Sequence, residues 1–250
     1  MQVSILGCGW LGLPLAKALL EEGDKIKGST TTSAKLSLLQ DEGVEPFLIS
    51  LSEEGPVGDV EEFLTNTDVL IIDVPPKVKG GESYPEKIKS LIPYINSSGI
   101  TKVLFVSSTS VYADDNSVVT EETIPQPDSE SGRQVLEAER VLQENTRFKT
   151  TILRFGGLIS EDRHPVKHLA GRSNIANPQA PVNLIHRDDC IGIIKTILAK
   201  EACGETFNGV APYHPTREEY YTQKAEQAGL VPPDFDHLND SMGKTVDAQK

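Results

Sequence analysis

Three glycines near the amino terminus have a spacing that suits the binding of a phosphate group. The segment 7–12 reads Gly-Cys-Gly-Trp-Leu-Gly and follows directly on the mostly apolar run 3–6. We expect a strand, a tight turn at Gly7, close approach of a pyrophosphate at Gly9 and tight helix–strand packing at Gly12. Trp10 and Leu11 would place free N–H groups and the positive end of a helix dipole beside the phosphates. A plain glycine turn that binds nothing has the same sequence and stays the alternative.

A polar segment, 29–35, follows the second expected strand and bears on the choice of nicotinamide cofactor. A carboxylate at this place binds the ribose 2′-hydroxyl of NAD, whereas hydroxyls or a cation accept the 2′-phosphate of NADP. The segment contains no acid, and its candidate ligands are Ser29, Thr30, Thr31 and Lys35. This favours NADP, with NAD as the alternative. The same residues are equally compatible with a turn that only caps the next helix.

Two later strand ends carry further candidates. The mostly apolar run 69–74 ends in Asp73 and Val74 and is followed by Pro75. We expect these three residues on the adenine side of the cofactor. The run 103–106 leads into Ser-Ser-Thr-Ser-Val-Tyr at 107–112. Ligands of open α/β sheets bind at the carboxyl ends of the strands, so hydroxyls there can orient a substrate hydroxyl or carbonyl. A serine-rich loop without function has the same sequence.

The chain alternates strand-like and helix-like segments, which predicts a parallel sheet with helices on both faces. Six strands are expected, at 3–7, 25–28, 46–49, 69–74, 103–106 and 151–155. Helices are expected at 11–22, 34–40, 60–64, 85–95, 130–145, 188–200 and 217–229. We therefore expect a core over 1–155, with 156–250 completing the fold and adding a small C-terminal substrate lobe. The segment from Pro232 shows no periodicity and is expected to be mobile.

Composition excludes several classes of protein. The formal net charge of −13 repels nucleic-acid backbones, so we expect no nucleic-acid partner. No stretch reaches the roughly 20 apolar residues that cross a bilayer, so we expect no membrane partner. The three cysteines, Cys8, Cys190 and Cys203, are isolated, which predicts no metal site and no disulfide and fits a reducing cytoplasm.

The motifs together resemble the extended and atypical short-chain dehydrogenase/reductases of the NAD-dependent epimerase/dehydratase superfamily. The glycine loop, the serine segment 107–112 and the Asn-Leu-Ile-His-Arg-Asp-Asp run at 183–189 are similar to that family's motifs. The Gly-x-Gly-x-x-Gly spacing resembles its YeeZ-like atypical branch. The resemblance covers nearly the whole chain and implies a Rossmann-type doubly wound fold. It also implies that Ser107, Phe155 and Gly156 lie near the nicotinamide.

The resemblance breaks where catalysis is expected. Members of the family use a Tyr-x-x-x-Lys pair on the long helix, and the matching positions here hold Ser129 and Arg133. Serine has no acidic phenol, and arginine stays protonated, so the usual proton transfer is lost. Arg133 can still bind ribose hydroxyls, Ser108 can bind the substrate oxygen, and Tyr112 is a candidate replacement acid.

Other candidates for the missing acid are His164 and His168. The resemblance gives His186 a structural role, and Asp188 or Asp189 is expected to cap the helix that follows. The carboxylate pairs 114–115 and 121–122 are expected in solvated loops.

We expect an NAD(P)-dependent oxidoreductase or epimerase that acts on a small hydroxyl or carbonyl substrate. A non-catalytic NAD(P)-binding sensor or scaffold is the alternative, because the family tyrosine is missing. The resemblance also implies a homodimer through the helix 130–145, although Glu137, Glu139, Arg140 and Glu144 make that helix polar.

Overall fold

The central element is a seven-stranded, fully parallel sheet. The computed structural model describes residues 1–76, 81–239 and 241–250. The strands are β1 (Gln2–Leu6), β2 (Lys25–Thr30), β3 (Glu45–Leu48), β4 (Val69–Ile72), β5 (Lys102–Ser108), β6 (Lys149–Phe155) and β7 (Thr206–Gly209). Their spatial order is β7-β6-β5-β4-β1-β2-β3, and every neighbouring pair is parallel. The predicted Rossmann-type doubly wound fold is therefore confirmed.

Helices cover both faces of this sheet. They are α1 (Gly12–Glu21), α2 (Leu36–Asp41), α3 (Val60–Leu64), α4 (Tyr84–Ser98), α5 (Glu130–Gln143), α6 (Val166–Leu169), α7 (Arg187–Ala199) and α8 (Arg217–Gln227). The apolar sides of α3, α4 and α5 share one core with the sheet, and those of α1, α2 and α7 share the other. No helix of the described residues has the length and apolar character needed to cross a membrane.

The predicted six-strand core is one strand short. The seventh strand, β7, pairs with β6 at the edge of the sheet, Phe207 opposite Leu153. Its sequence, Thr-Phe-Asn-Gly, has a single large apolar residue. Edge strands are buried on fewer sides and need no continuous apolar run, so the usual sequence signal is weak.

The segment from Pro232 is also more ordered than predicted. Thr245–Val246 forms a short parallel pair with Val118–Val119, and Phe235 packs in a third apolar cluster with residues of α6 and α8. Val246 is fully buried. Side-chain amides help to hold this segment: Asn183 Nδ2 donates to the carbonyl of Lys244 and Asn208 Nδ2 to that of Asp247. Such bonds leave no periodic pattern in the sequence.

Candidate functional site

The glycine loop joins β1 to α1, and its geometry explains why a glycine stands at each of the three positions. Gly7 has φ of 109°, and a Cβ there would lie 2.3 Å from the carbonyl oxygen of Asp73. A Cβ at Gly12 would lie 2.2 Å from the carbonyl oxygen of Gly7. Gly9 is different, because a Cβ there would meet nothing within 4 Å. The loop is thus packed at its two ends and open at its middle.

The open part of the loop presents unpaired donors. Ser29 Oγ accepts a hydrogen bond from the Gly7 N–H at 2.9 Å and fixes the start of the loop. The first turn of α1 has no side-chain cap, and the N–H groups of Trp10 and Leu11 donate to no described residue. Free N–H groups at a helix start are a ready anion site, so the loop fits a diphosphate.

A cleft of about 260 Å³ lies at the carboxyl ends of β1, β2 and β4. It brings together nine of the residues singled out as cofactor ligands: Gly7, Gly9, Ser29, Thr30, Thr31, Lys35, Asp73, Val74 and Pro75. Trp10, Leu11 and Gly12 lie just beyond it, at the start of α1. The cleft therefore gathers segments that are distant in sequence at one edge of the sheet.

Burial strongly raises the pKa values of two ionisable groups at this cleft. Burial raises the pKa of the Asp73 carboxyl to about 7, against a smaller lowering by the Gly12 N–H. Burial also raises the pKa of the Cys8 thiol to about 12, so this thiol is no nucleophile near neutral pH. The Tyr84 hydroxyl donates to the carbonyl of Val74 at 2.6 Å. Lys87, also in the cleft, is paired with Glu82.

A second cleft, of about 370 Å³, lies beyond the ends of β5 and β6. Ser108 and Gly156 line it, as do Asn183, Arg217 and Lys244. The Lys244 ammonium is nearly buried and donates to the carbonyl of Tyr112 at 2.9 Å and to Asp114 at 2.7 Å. Asp114 lies in an exposed loop, as expected, and its carboxylate also lines the cleft and pairs with Lys244.

The Tyr112 side chain lies in a buried polar network rather than in either cleft. Its hydroxyl accepts from Arg154 at 2.8 Å and lies 3.0 Å from Asn208 Oδ1. Arg154 in turn forms an ion pair with Glu139 at 2.6 Å, and Ser107 donates to the same carboxylate. Burial raises the pKa of the Tyr112 phenol, although Arg154 opposes that shift. Tyr112 and Ser107 are thus committed to hydrogen bonds inside the protein.

The remaining predicted residues fall at separate places. Ser129 caps α5 by accepting from the Gly132 N–H at 3.0 Å, and Arg133 pairs with Glu130 on the exposed side of that helix. Phe155 is buried in β6. The residue of α5 that approaches the serine segment is Gly132, where a Cβ would lie 2.2 Å from the Ser110 carbonyl oxygen. The structure does not bring Ser129, Arg133 or Phe155 into either cleft.

The histidines also have structural partners. His164 Nε2 lies 3.0 Å from the Tyr220 hydroxyl, and the two rings are stacked. His168 is exposed. His186 Nδ1 accepts from the Asp188 N–H at 3.3 Å and caps α7. The prediction that Asp188 or Asp189 provides this cap is wrong, because the preceding imidazole already occupies that position.

Sequence reasoning missed several residues of the two clefts. Tyr84 and Lys87 belong to α4, which begins several residues after the strand end at Pro75. They therefore lie outside the strand-end positions from which the candidates were chosen. Lys244 lies in a segment without periodicity. The one available signal was Asn183, which belongs to a recognised motif and bonds the backbone of Lys244 and Val246.

Comparison with known proteins identifies the family of the chain. A family model described as NAD(P)H-binding matches residues 7–190. The protein YeeZ of Escherichia coli (strain K12) is 34% identical over 254 residues, covering 100% of this chain and 92% of YeeZ.

Two solved structures show the same fold. A conserved protein of unknown function from Silicibacter pomeroyi has a TM-score of 0.80 and 22% identity, covering 99% of this chain and 89% of that one. MoeE5, solved with UDP-glucuronic acid and NAD, has a TM-score of 0.79 and 18% identity, covering 100% and 90%. The chain belongs to the NAD(P)H-binding family and is a homologue of YeeZ.

Proposed function

We propose that the protein binds a nicotinamide dinucleotide along the carboxyl edge of the sheet and uses it on a small hydroxyl or carbonyl substrate. The observation that carries the proposal is the placement of the two clefts. The first lies at the ends of β1, β2 and β4, which includes the β1–β4 switch point, and the second lies at the ends of β5 and β6. A dinucleotide in an open α/β sheet crosses such a switch point.

The open glycine loop is the proposed diphosphate site, and the segment 29–35 the proposed adenosine site. NADP(H) is preferred in this proposal because the end of β2 supplies hydroxyls and Lys35. Two carboxylates line the described cleft, Asp73 by the glycine loop and Glu82, which pairs with Lys87. Neither belongs to the end of β2, where NAD-binding proteins place their acid.

The nicotinamide would supply hydride transfer when bound. This chain's own residues would bind and orient the substrate. Ser108 and Lys244 both line the second cleft, and a hydroxyl and an ammonium are groups that can donate to a substrate oxygen. Tyr112 supports Lys244 through its carbonyl. Ser129 and Arg133 have no part in this proposed chemistry, because α5 holds both at its exposed start.

Two cofactor titrations test the binding step. Lys35→Ala is expected to weaken NADPH binding about tenfold and to leave NADH binding unchanged, because a charged hydrogen bond to the 2′-phosphate is lost. Lys25→Ala is the matched control, since Lys25 is exposed at the opposite end of β2. Equal affinity of the wild-type protein for NADH and NADPH would contradict the preference for NADP.

Turnover is tested by following NADPH absorbance with a panel of aldehydes, ketones and sugar nucleotides. UDP-sugars are included because MoeE5 was solved with UDP-glucuronic acid. With any substrate found, Ser108→Ala is expected to lower kcat/KM about a hundredfold, and Ser97→Ala on the exposed side of α4 to leave it unchanged.

One observation favours the sensor or scaffold as second candidate. The described lining of the second cleft contains neither tyrosine nor histidine, the groups that most often move protons at neutral pH. Tight NADPH binding without turnover across the panel would select this function.

A further inference from the structure

The indole ring of Trp10, in the glycine loop, contacts two arginines from other parts of the chain. The guanidinium carbon of Arg163 is 5.0 Å from the centroid of the indole ring, and that of Arg187 is 5.1 Å from it. Arg163 lies in the segment after the short strand Gly157–Ile159, and Arg187 begins α7, which packs against α1. Two separate elements thus bring two cations to the loop that presents the free N–H groups.

These cations are incompletely paired. Arg187 Nη1 lies 3.4 Å from Asp162 Oδ1, but its Nε is buried and has no hydrogen-bond partner among the described residues. The indole N–H of Trp10 lies near the same carboxylate without a hydrogen bond of ordinary geometry. Arg163 makes no ion pair with any described residue. A buried donor without a partner costs free energy, so this cluster is arranged for an acceptor that the chain itself does not supply.

The electrostatic setting calls for such cations. The chain carries a net charge of −13, and the Asp73 carboxyl lies beside Gly12, where a Cβ would be 3.2 Å from its Oδ2. The loop itself offers only neutral amides to a ligand that carries two negative charges at its diphosphate. Guanidinium groups present planar forks of N–H donors that match phosphate oxygens, and stacking on an aromatic ring holds the fork in place.

We propose that Arg163 and Arg187, held against the indole ring of Trp10, bind the diphosphate of the dinucleotide. This inference rests on the proposed function and assigns to the same site two cationic ligands that lie far from the glycine loop in sequence. Trp10 acts as the platform that aligns the two guanidinium groups. The two arginines neutralise the ligand's charge and offset the field of Asp73 and of the acidic surface.

The test compares the affinities of NADH and NADPH for Arg163→Gln, Arg187→Gln and the double variant by calorimetry. Each single change is expected to weaken both cofactors about tenfold and by the same factor, because the diphosphate is common to both. Arg140→Gln is the control, since Arg140 pairs with Glu137 on the exposed side of α5. Affinity should also fall less steeply with added salt in the double variant than in the wild type.

Lysine variants distinguish the loss of a binding group from the loss of the fold. Arg163→Lys and Arg187→Lys keep the charge but lose the planar fork, so their affinities should lie between those of wild type and the glutamine variants. Emission of Trp10, the one tryptophan of the chain, reports the stacking in each variant without any turnover.

Each other outcome overturns the inference in a recognisable way. Unchanged affinity with altered Trp10 emission would make the arginines packing partners only. Weakening confined to NADPH would place them at the 2′-phosphate. Failure of the wild-type protein to bind either cofactor would overturn the proposed function itself, and the inference with it.

Discussion

Asn183 holds the C-terminal segment by both ends of its side-chain amide: Nδ2 donates to the carbonyl of Lys244 at 2.7 Å, and Oδ1 accepts from the N–H of Val246 at 2.8 Å. The side-chain amide thus makes the same two kinds of hydrogen bond, one donated and one accepted, that a neighbouring strand's backbone would make. One of these bonds is to the backbone of Lys244, whose side chain lines the second cleft, so the position of its ammonium depends on an amide 61 residues away.

Asn183→Ala is therefore expected to loosen this segment. The change leaves a carbonyl and an N–H without partners in a half-buried site, which we expect to lower the free energy of unfolding by about 1–3 kcal/mol. Hydrogen exchange at Val246 should accelerate more than exchange in β1. Gln143→Ala, at the exposed end of α5, serves as control, and equal protection of Val246 in both variants would show that the amide does not hold the segment.

The buried ion pair of Glu139 with Arg154 gives a second prediction. Glu139→Gln leaves the Arg154 charge buried with a weaker partner, so unfolding should become easier by about 3 kcal/mol. The double variant Glu139→Leu with Arg154→Met removes both charges and should be less destabilised than Glu139→Gln. Chemical denaturation of the two proteins measures this, and the opposite ranking would mean that packing, not charge, dominates here.

The stability of the protein should depend on the ionisation of Asp73. Its pKa in the folded state is about 7, raised by burial from the ordinary aspartate value of 3.8. The folded state thus binds more protons than the unfolded state between about pH 4 and 7, and stability falls as pH rises through that window. Asp73→Asn should remove this pH-dependent part of the free energy of unfolding, which is at most about 4 kcal/mol.

The same ionisation should affect cofactor binding. A diphosphate beside the loop favours the protonated Asp73 carboxyl, so affinity for NADH should fall as pH rises from about 6 to 8. NADH is the suitable ligand because it has no 2′-phosphate to titrate. In Asp73→Asn the affinity should be nearly constant over this range, and a wild-type affinity that rises with pH would contradict the placement of the diphosphate.

The sequence predicted the parts of the fold whose residues are buried on a regular period. Val69–Ile72 is buried throughout, as a central parallel strand must be, and its apolar run made it visible. The glycine loop was equally visible, since its backbone geometry tolerates few other residues. These features depend on local sequence alone.

The features that escaped prediction depend on distant partners. Glu139 was expected on the polar face of α5, yet it is buried because Arg154, on β6, neutralises it. Tyr112 was a candidate acid, and its network includes Asn208, on a strand that was not predicted. The position of Lys244 depends on the hydrogen bond that its carbonyl accepts from the Asn183 side chain. Periodicity assigns a side chain to a face, but it cannot identify the partner that makes burial of a polar group favourable.

Titration of NADPH into the wild-type protein and into Gly9→Val tests the account most directly. A Cβ at Gly9 meets nothing within 4 Å, so we expect the variant to fold and its methyl groups to fill the open face of the loop. We predict saturable heat for the wild type and for the control Gly192→Val, whose glycine in α7 is equally unobstructed. Gly9→Val should keep its thermal stability and show no heat. Equal heat from Gly9→Val and the wild type, or no heat from the wild type, would contradict the placement of the cofactor on the glycine loop.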